Sequence, residues 1–468
     1  MAMVKVVVLG GGISGLATAY AIQEMAKEAG LKIELTVIEK EKSLGGKIQS
    51  YREDGFLYEG GPSGFLDSKP ETLKLASDVG LQVLPSTAAA KKRFIYFGGR
   101  LRRVPEGPAE FIRSDIMTIP GKLRVLLEPF TKPSKSEDET VAEFGRRHLG
   151  REAQERLISA MIVGIFAGSS EKLSLKSSFP VMAELESEGG GSLIKAMFKR
   201  MKDAKKAGKT KMSASPSGGL TSFEGGMADI IHSIEQGLDA GFATGKKVSS
   251  LKISGSGGYE IYLEGEKTPI EADVVVAALP AYASAEILGG LDKGFEEVLT
   301  KIPYSPAAVV CLGYREEDLP NRLEGYGFLI PPVEGRNILG CRWDSSTFEG
   351  RAPPGHMLLE VIVGGAIQPE LAALEQDLVL SVVKEELKAI LDIEKEPVFS
   401  KVIWHKKAIP QYVVGHSKVL KKLDSVIENY PGLFITGNAY RGIGINDCTK
   451  NALLTSGKVI DFLKEKRL

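Results

Sequence analysis

The sequence predicts two kinds of sheet in one chain: a doubly wound, parallel α/β unit assembled from discontinuous pieces, and an antiparallel α+β unit, with a helical insertion. Three observations carry this. Residues 4–9 and 33–38 are short β-branched runs on either side of a helical pattern, the reading of strands buried on both faces of a parallel sheet. Residues 106–205 hold several helical spacings and no strand pattern. Residues 300–400 alternate strand-like runs with long turns before one helical stretch, as an antiparallel sheet domain does.

Between the first two runs, Gly10, Gly12 and Gly15 spell G-x-G-x-x-G; a helical pattern spans 16–29, and the second run ends on Glu39. Strand, glycine turn, helix, strand and acid, in that order, make a Rossmann-like dinucleotide-binding unit. Gly10 permits the tight turn, Gly12 lets a pyrophosphate touch the backbone, and Gly15 lets helix and strand pack closely. The helix start offers unpaired N–H groups and a positive dipole end to the phosphates. Glu39 can accept hydrogen bonds from a ribose diol and repels a 2′-phosphate. More glycines follow soon after the acid, at Gly45-Gly46 and Gly60-Gly61-Pro62-Ser63. Near the far end, Gly437, Gly442 and Gly444 lead into a helical pattern over 447–466. A nicotinamide half-site needs no such second set. The longer FAD does, because more backbone must approach its phosphates and ring.

Residues 70–80 have helical spacing. Residues 94–97 and 101–104 flank Gly98-Gly99 and predict a hairpin, a very basic one with Lys91, Lys92, Arg93, Arg100, Arg102 and Arg103. Such charges blunt an edge strand; an arginine that faces a pocket instead holds a carboxylate. Helical patterns follow at 122–127, 141–148 and 152–165. The basic run from Lys195 to Lys211 suits a solvated helix face and an anionic-lipid patch equally well. Residues 187–192 and 213–219 read as loops, and 205–217, poor in apolar side chains, as a mobile stretch. A helix is predicted at 228–238 and strands at 248–253, 259–263 and 273–278, the last returning to the first sheet. Strands at 307–312, 327–330, 338–341 and 357–363 and a helix at 375–391 form the antiparallel unit.

Length, 468 residues, suits two or three domains, and 43% apolar content is ample for their cores. Zero formal net charge gives no bulk attraction to nucleic acid. The three cysteines, Cys311, Cys341 and Cys448, are far apart, and the five histidines show no ligand spacing, so no metal is expected. No stretch reads as a transmembrane helix or a signal peptide. A cytoplasmic protein is expected, with peripheral contact to the cytoplasmic face of the membrane left open.

Beyond the glycine segments, residues 93–105, 164–175, 177–180, 409–412 and Gly415-His416 carry a resemblance. The chain resembles the flavin amine-oxidase and protoporphyrinogen-oxidase superfamily, and within it the oxygen-dependent porphyrinogen oxidases of haem synthesis. The resemblance implies FAD-binding pieces at 1–90, 213–280 and 406–468, a substrate-domain hairpin at 91–105, a helical insertion with membrane contact at 106–212, and a substrate-binding domain at 281–405. It implies that Arg93, Gly164, Leu329 and Ile362 bind substrate. It implies that noncovalent FAD is held by Gly10, Gly11, Gly12, Ile13, Ser14, Gly15, Glu39, Lys40, Gly45, Gly46, Lys47, Gly61, Pro62, Ser63, Gly64, Val248, Trp404, Gly437, Ile443, Gly444 and Ile445. From sequence alone, the reading of Leu329 and Ile362 as plain core strand residues is preferred.

The implied reaction converts protoporphyrinogen IX to protoporphyrin IX with O₂ as acceptor and peroxide as product. No side chain is assigned as a general base, since the flavin does the chemistry. Coproporphyrinogen III oxidation is the alternative on the same scaffold. A flavin amine oxidase, which needs an aromatic cage around its amine, and a non-catalytic flavin-binding partner of haem assembly are the competing classes. The partners implied are a tetrapyrrole, a membrane surface, a ferrochelatase-type protein and a second copy of the chain.

Overall fold

The computed structural model describes residues 3–206, 218–255 and 257–466. In chain order, the strands that build the site are β1 (Val4–Leu9), β2 (Ile33–Glu39), β3 (Arg93–Phe97), β4 (Arg100–Arg103), β5 (Gly241–Thr244), β6 (Val274–Ala277), β7 (Tyr304–Arg315), β8 (Gly327–Leu329), β9 (Gly340–Trp343), β10 (His356–Gly364), β11 (Phe399–Pro410) and β12 (Leu433–Ile435). The helices include α1 (Ile13–Glu28), α2 (Ile119–Leu126), α3 (Ser159–Phe166), α4 (Leu193–Lys206), α5 (Gln376–Leu391) and α6 (Ile445–Glu465).

Five strands form a wholly parallel sheet in the order β5-β2-β1-β6-β12. The unbroken apolar run of β1 follows from burial on both faces. Val6 and Val8 point into the core shared with α1 and α6, while Val7 and Leu9 point into a second core with Leu288 and Phe295. Residues 248–253 and 259–263 do form strands, in a separate antiparallel sheet with Ile270–Ala272.

The second large sheet runs β11-β7-β10-β9-β8-β3-β4. It is not purely antiparallel as expected: β8 lies parallel to β3, with Gly327 opposite Arg93 and Leu329 opposite Ile95. A parallel pair needs a long crossover, and here the whole helical insertion and the returning cofactor segments lie between the two strands. One face of this sheet, with Tyr96, Val310, Phe328 and Val361, is covered by Val379, Val383 and Leu387 of α5. The opposite face carries Ile95, Leu329, Ile362 and Val309. It meets the insertion on one side and, on the other, Phe56 and Tyr58 of the strand leading to Gly60.

Several local readings shift. Helix α1 starts at Ile13, since the glycine turn itself supplies the first turn, with Gly12 as its N-cap. β9 lies two residues beyond the expected strand, and the expected boundary after residue 405 falls inside β11. A helix over Pro180–Glu188 reaches into the expected loop at 187–192. The helix expected over 152–165 contains a π turn at Gln154–Ile158. Residues 207–217, and with them most of the expected loop at 213–219 and mobile stretch at 205–217, lie outside the described residues.

Candidate functional site

Because β1, β6 and β12 are parallel, the loops that leave their carboxyl ends emerge at one edge of the sheet, where ligands of such folds bind. There the Gly10–Gly15 turn enters α1 and the 437–444 loop enters α6; the Thr436 N–H donates to the Ala277 carbonyl at 3.1 Å. The two helices pack together, with Ser456 Oγ donating to the Thr18 carbonyl at 3.1 Å.

The glycines divide by cause. Gly10 sits at φ 105°, and a Cβ on Gly15 falls 1.9 Å from the Gly10 carbonyl oxygen, so both are required by the chain itself. Gly12 and Gly444 are different. Both have ordinary extended backbone angles, and a Cβ on Gly12 meets only the Gly45 carbonyl at 3.9 Å, one on Gly444 only Asp447 Oδ2 at 3.4 Å. The fold leaves room for a Cβ at either place. Both sit at helix starts, where phosphate is favoured, so the open cradle fits an external anionic group such as a dinucleotide.

The remaining expected cofactor residues gather around this edge to different degrees. Gly45 donates to the Gly11 carbonyl at 2.8 Å and lies in register with Gly12, which lays 45–46 beside the first turn. Ile13 and Ser14 open α1 as buried residues. Glu39 is 7% exposed, and its carboxylate accepts from Gly11 N–H at 2.7 Å and Glu41 N–H at 2.9 Å. Lys40 points to solvent and pairs with Glu41. Lys246 N–H donates to the Glu39 carbonyl, which brings the buried Val248 close to the acid. A Cβ on Gly61 collides with the Lys47 carbonyl and one on Gly64 with the Thr221 carbonyl; the buried Ser63 and its neighbour Pro62 lie between them. Ile445 is core, and Ile443 packs against Phe166 and Tyr412. Trp404 lies on β11 and is 38% exposed.

Two side chains tie these loops to the other sheet. Lys47 Nζ donates to the carbonyls of Lys407, at 2.8 Å, and Ala408, which the irregular register of β11 against β7 leaves free. Burial pushes its ammonium down to about 8. His405 donates from Nε2 to the Gly60 carbonyl at 2.5 Å, and burial pushes its imidazole down as well.

Arg93, Leu329 and Ile362 share the face of the seven-stranded sheet opposite α5. Leu329 and Ile362 stand opposite the same residue, Gly340, from either side. Helix α3 lies across them: a Cβ on Gly164 falls 2.8 and 2.9 Å from the two Leu329 methyls, while Val163 and Ala167 pack with Leu339 and Ile362. Ala167, at φ 42°, ends α3, and its carbonyl accepts from Ala366 N–H at 2.7 Å, which locks the helix to the end of β10. Arg93 stands at the exposed rim of this apolar wall, its guanidinium 5.7 Å from the Tyr326 ring centroid.

Four other charges on the hairpin are engaged. Lys92 pairs with Glu324, Arg100 and Arg102 with Asp115, and Arg103 with Glu106. Among the described residues Arg93 pairs with no carboxylate. Arg342, also on the wall face, is clamped between Asp344 and Glu360, and burial pushes the Glu360 carboxyl well above the usual range. Sequence reasoning missed Leu339, Tyr326 and the Arg342 cluster. The signal for each is register across strands, which spacing along the chain does not carry. No group of three His, Cys, Asp or Glu among the described residues is arranged to hold a metal. No helix among them is long and apolar enough to cross a membrane.

A family described as flavin containing amine oxidoreductase matches residues 13–460. The chain is 32% identical over 471 residues to the coproporphyrinogen III oxidase of Bacillus subtilis (strain 168), with 98% of each covered. It is 32% identical over 481 residues to protoporphyrinogen oxidase 1, chloroplastic, of Arabidopsis thaliana, with 98% of this chain and 88% of that one covered. A solved chain from Exiguobacterium sp. 255-15 has the same fold, with TM-score 0.82 at 24% identity over 99% of this chain and 100% of that one.

Proposed function

The chain belongs to the flavin-containing amine oxidoreductases, and from that premise we propose that it is an FAD-dependent, O₂-using oxidase that converts protoporphyrinogen IX to protoporphyrin IX. Bound FAD would supply the redox chemistry, as a two-electron acceptor that O₂ reoxidises with hydrogen peroxide as product. The protein's part is to hold and orient. The Gly12 and Gly444 helix starts take the pyrophosphate side, and Glu39 takes the ribose. Gly164, Leu329 and Ile362 give a flat macrocycle an apolar wall, with no side chain projecting from α3 at Gly164. Arg93 holds a propionate with its planar fork.

The observation that carries the reading is the pairing of an apolar wall with one arginine at its rim that no internal carboxylate neutralises. Arg342, by contrast, is taken by two acids. An amine oxidase needs an aromatic cage; here Tyr440 is 3% exposed and turned into the core, its hydroxyl 3.4 Å from Ser284 Oγ. Coproporphyrinogen III is the second reading, favoured by the name of the Bacillus subtilis relative. It carries two further propionates, and a single free rim arginine suits it less well. Parallel kinetics on the two porphyrinogens, followed by the Soret band and by peroxide, decide. A higher kcat/KM on coproporphyrinogen III reverses the preference; no porphyrin from either overturns the proposal.

The insertion supports a peripheral membrane reading. Ile119, Leu123 and Leu126 of α2, then Leu127 and Phe130, are all exposed, and Phe198 and Met201 of α4 are exposed among Lys195, Lys199 and Lys202. Co-sedimentation with anionic vesicles is expected, and the pair Leu126→Asp, Phe130→Asp is expected to abolish it. Equal binding by the variant excludes this face. A product this apolar also suits handover to a ferrochelatase-type partner, which co-purification tests; a second copy of the chain is tested by sedimentation.

A further inference from the structure

The turn after β11 places two buried rings face to face. Tyr412 and His416 have centroids 4.2 Å apart and planes at 15°. Each gives its polar atom to the glycine loop that leads into α6. The Tyr412 hydroxyl donates to the Asn438 carbonyl at 2.6 Å and accepts from the Gly442 N–H at 2.9 Å. His416 Nε2 donates to the Tyr440 carbonyl at 2.9 Å. Burial pushes this imidazole down, so it is neutral with its proton on Nε2.

The loop so held has Gly437 at φ 133° and Gly442 at φ 111°. Such a glycine-rich segment loses much conformational freedom when it is fixed. Support from outside the loop meets that loss before any ligand arrives, which is how a preformed site gains affinity. On its other side the Tyr412 ring meets Phe166, the last residue of α3, with centroids 6.1 Å apart at 65°. The same ring therefore touches the cofactor loop and the helix that carries Gly164.

We propose that Tyr412 and His416 are positioning residues that preshape the 437–444 loop for FAD and tie it to the substrate wall. The inference rests on the reading that this loop takes the cofactor, and the experiment separates the two. The probe is FAD itself, released from purified holoenzyme on dilution and followed by its fluorescence, together with the visible band of the bound flavin. Gly444→Val tests the loop, because the chain itself leaves room for a Cβ there and the branched side chain would enter the space assigned to the cofactor. Tyr412→Phe removes a hydroxyl that serves two backbone groups, and His416→Leu removes one donor. Each is expected to release FAD about tenfold faster, with the visible band moved toward that of free FAD. His416→Gln keeps a donor and is expected to stay near wild type. If Gly444→Val speeds release while Tyr412→Phe and His416→Leu do not, the positioning role is overturned and the loop reading stands. If Gly444→Val changes nothing, the loop reading falls and this inference with it. Should Tyr412→Phe fail to fold, the His416 pair decides: equal release from His416→Leu and His416→Gln overturns the proposal.

Discussion

Replacing Gly164 with alanine sets two effects against each other. Within a helix, alanine is favoured over glycine by about 1 kcal/mol, so α3 alone gains stability. The new methyl, however, falls 2.8 and 2.9 Å from the Leu329 methyls, too close for both to stay. Leu329 is only partly buried and ends a strand, so its side chain, and not the backbone, gives way. Such overpacking costs about 1–3 kcal/mol. The net change is a loss of about 0–2 kcal/mol from these two terms. Activity suffers more, because the displaced leucine re-forms the wall. A shift of about 1 Å in a positioning contact lowers kcat/KM by up to about a hundredfold. The assay is Soret-band formation with flavin loading checked, beside thermal denaturation. The same substitution in a Leu329→Ala background is expected to raise stability by about 1 kcal/mol, since only the helix term survives. If Gly164→Ala in the wild-type background raises the melting temperature and leaves kcat/KM unchanged, α3 does not press on Leu329 and this face is not the substrate's.

Arg93→Ala is expected to lose roughly 2–4 kcal/mol of transition-state stabilisation, about 30- to 1000-fold in kcat/KM, with Arg93→Lys restoring only part; unchanged kinetics make Arg93 a plain rim charge. Glu39→Ala should weaken FAD by about 1.5–3 kcal/mol for each charge-assisted bond lost, and an unaltered dissociation constant excludes the acid from the ribose. Lys47 gives a pH test on the flavin-free protein: folded it titrates at about 8, unfolded at about 10.4, so the unfolded chain binds more protons between these values and stability rises with pH across that window. Urea midpoints from pH 7.5 to 10 should show the rise in wild type and not in Lys47→Met; equal slopes refute it. Acid precipitation should leave flavin in the supernatant, and flavin in the pellet means a covalent link.

The parallel unit was readable because its evidence is local. Gly10, Gly15 and Glu39 sit within one strand–helix–strand run, and each answers to a steric or hydrogen-bonding need of its own neighbours. The wall was readable only in part. Gly164 and Leu329 are far apart in the chain and meet because β8 lies beside β3, and nothing in a three-residue strand announces a parallel partner. The hairpin's six cations were visible as charge. Which four of them are paired depended on Asp115, Glu106 and Glu324, placed by loops whose direction spacing does not encode. Lys47 was an expected cofactor residue, but its two carbonyl partners exist only because β11 pairs irregularly with β7.

The parallel sheet has a consequence for the order in which the protein is made. β1 finds β2 almost at once, but its other neighbour, β6, begins at Val274, and β12 begins at Leu433. While the chain is being synthesised, the inner face of β1, with Val7 and Leu9, therefore waits for most of translation before Leu288 and Phe295 cover it. The second helix start, at α6, arrives later still, after both sheets have received their other strands. If the loop before α6 holds the flavin as proposed, flavin capture is a late event of biogenesis, and a chain that has gained its yellow colour has already closed both sheets. Colour in a lysate then counts completed molecules, whereas an antibody against the amino end also counts the stalled ones.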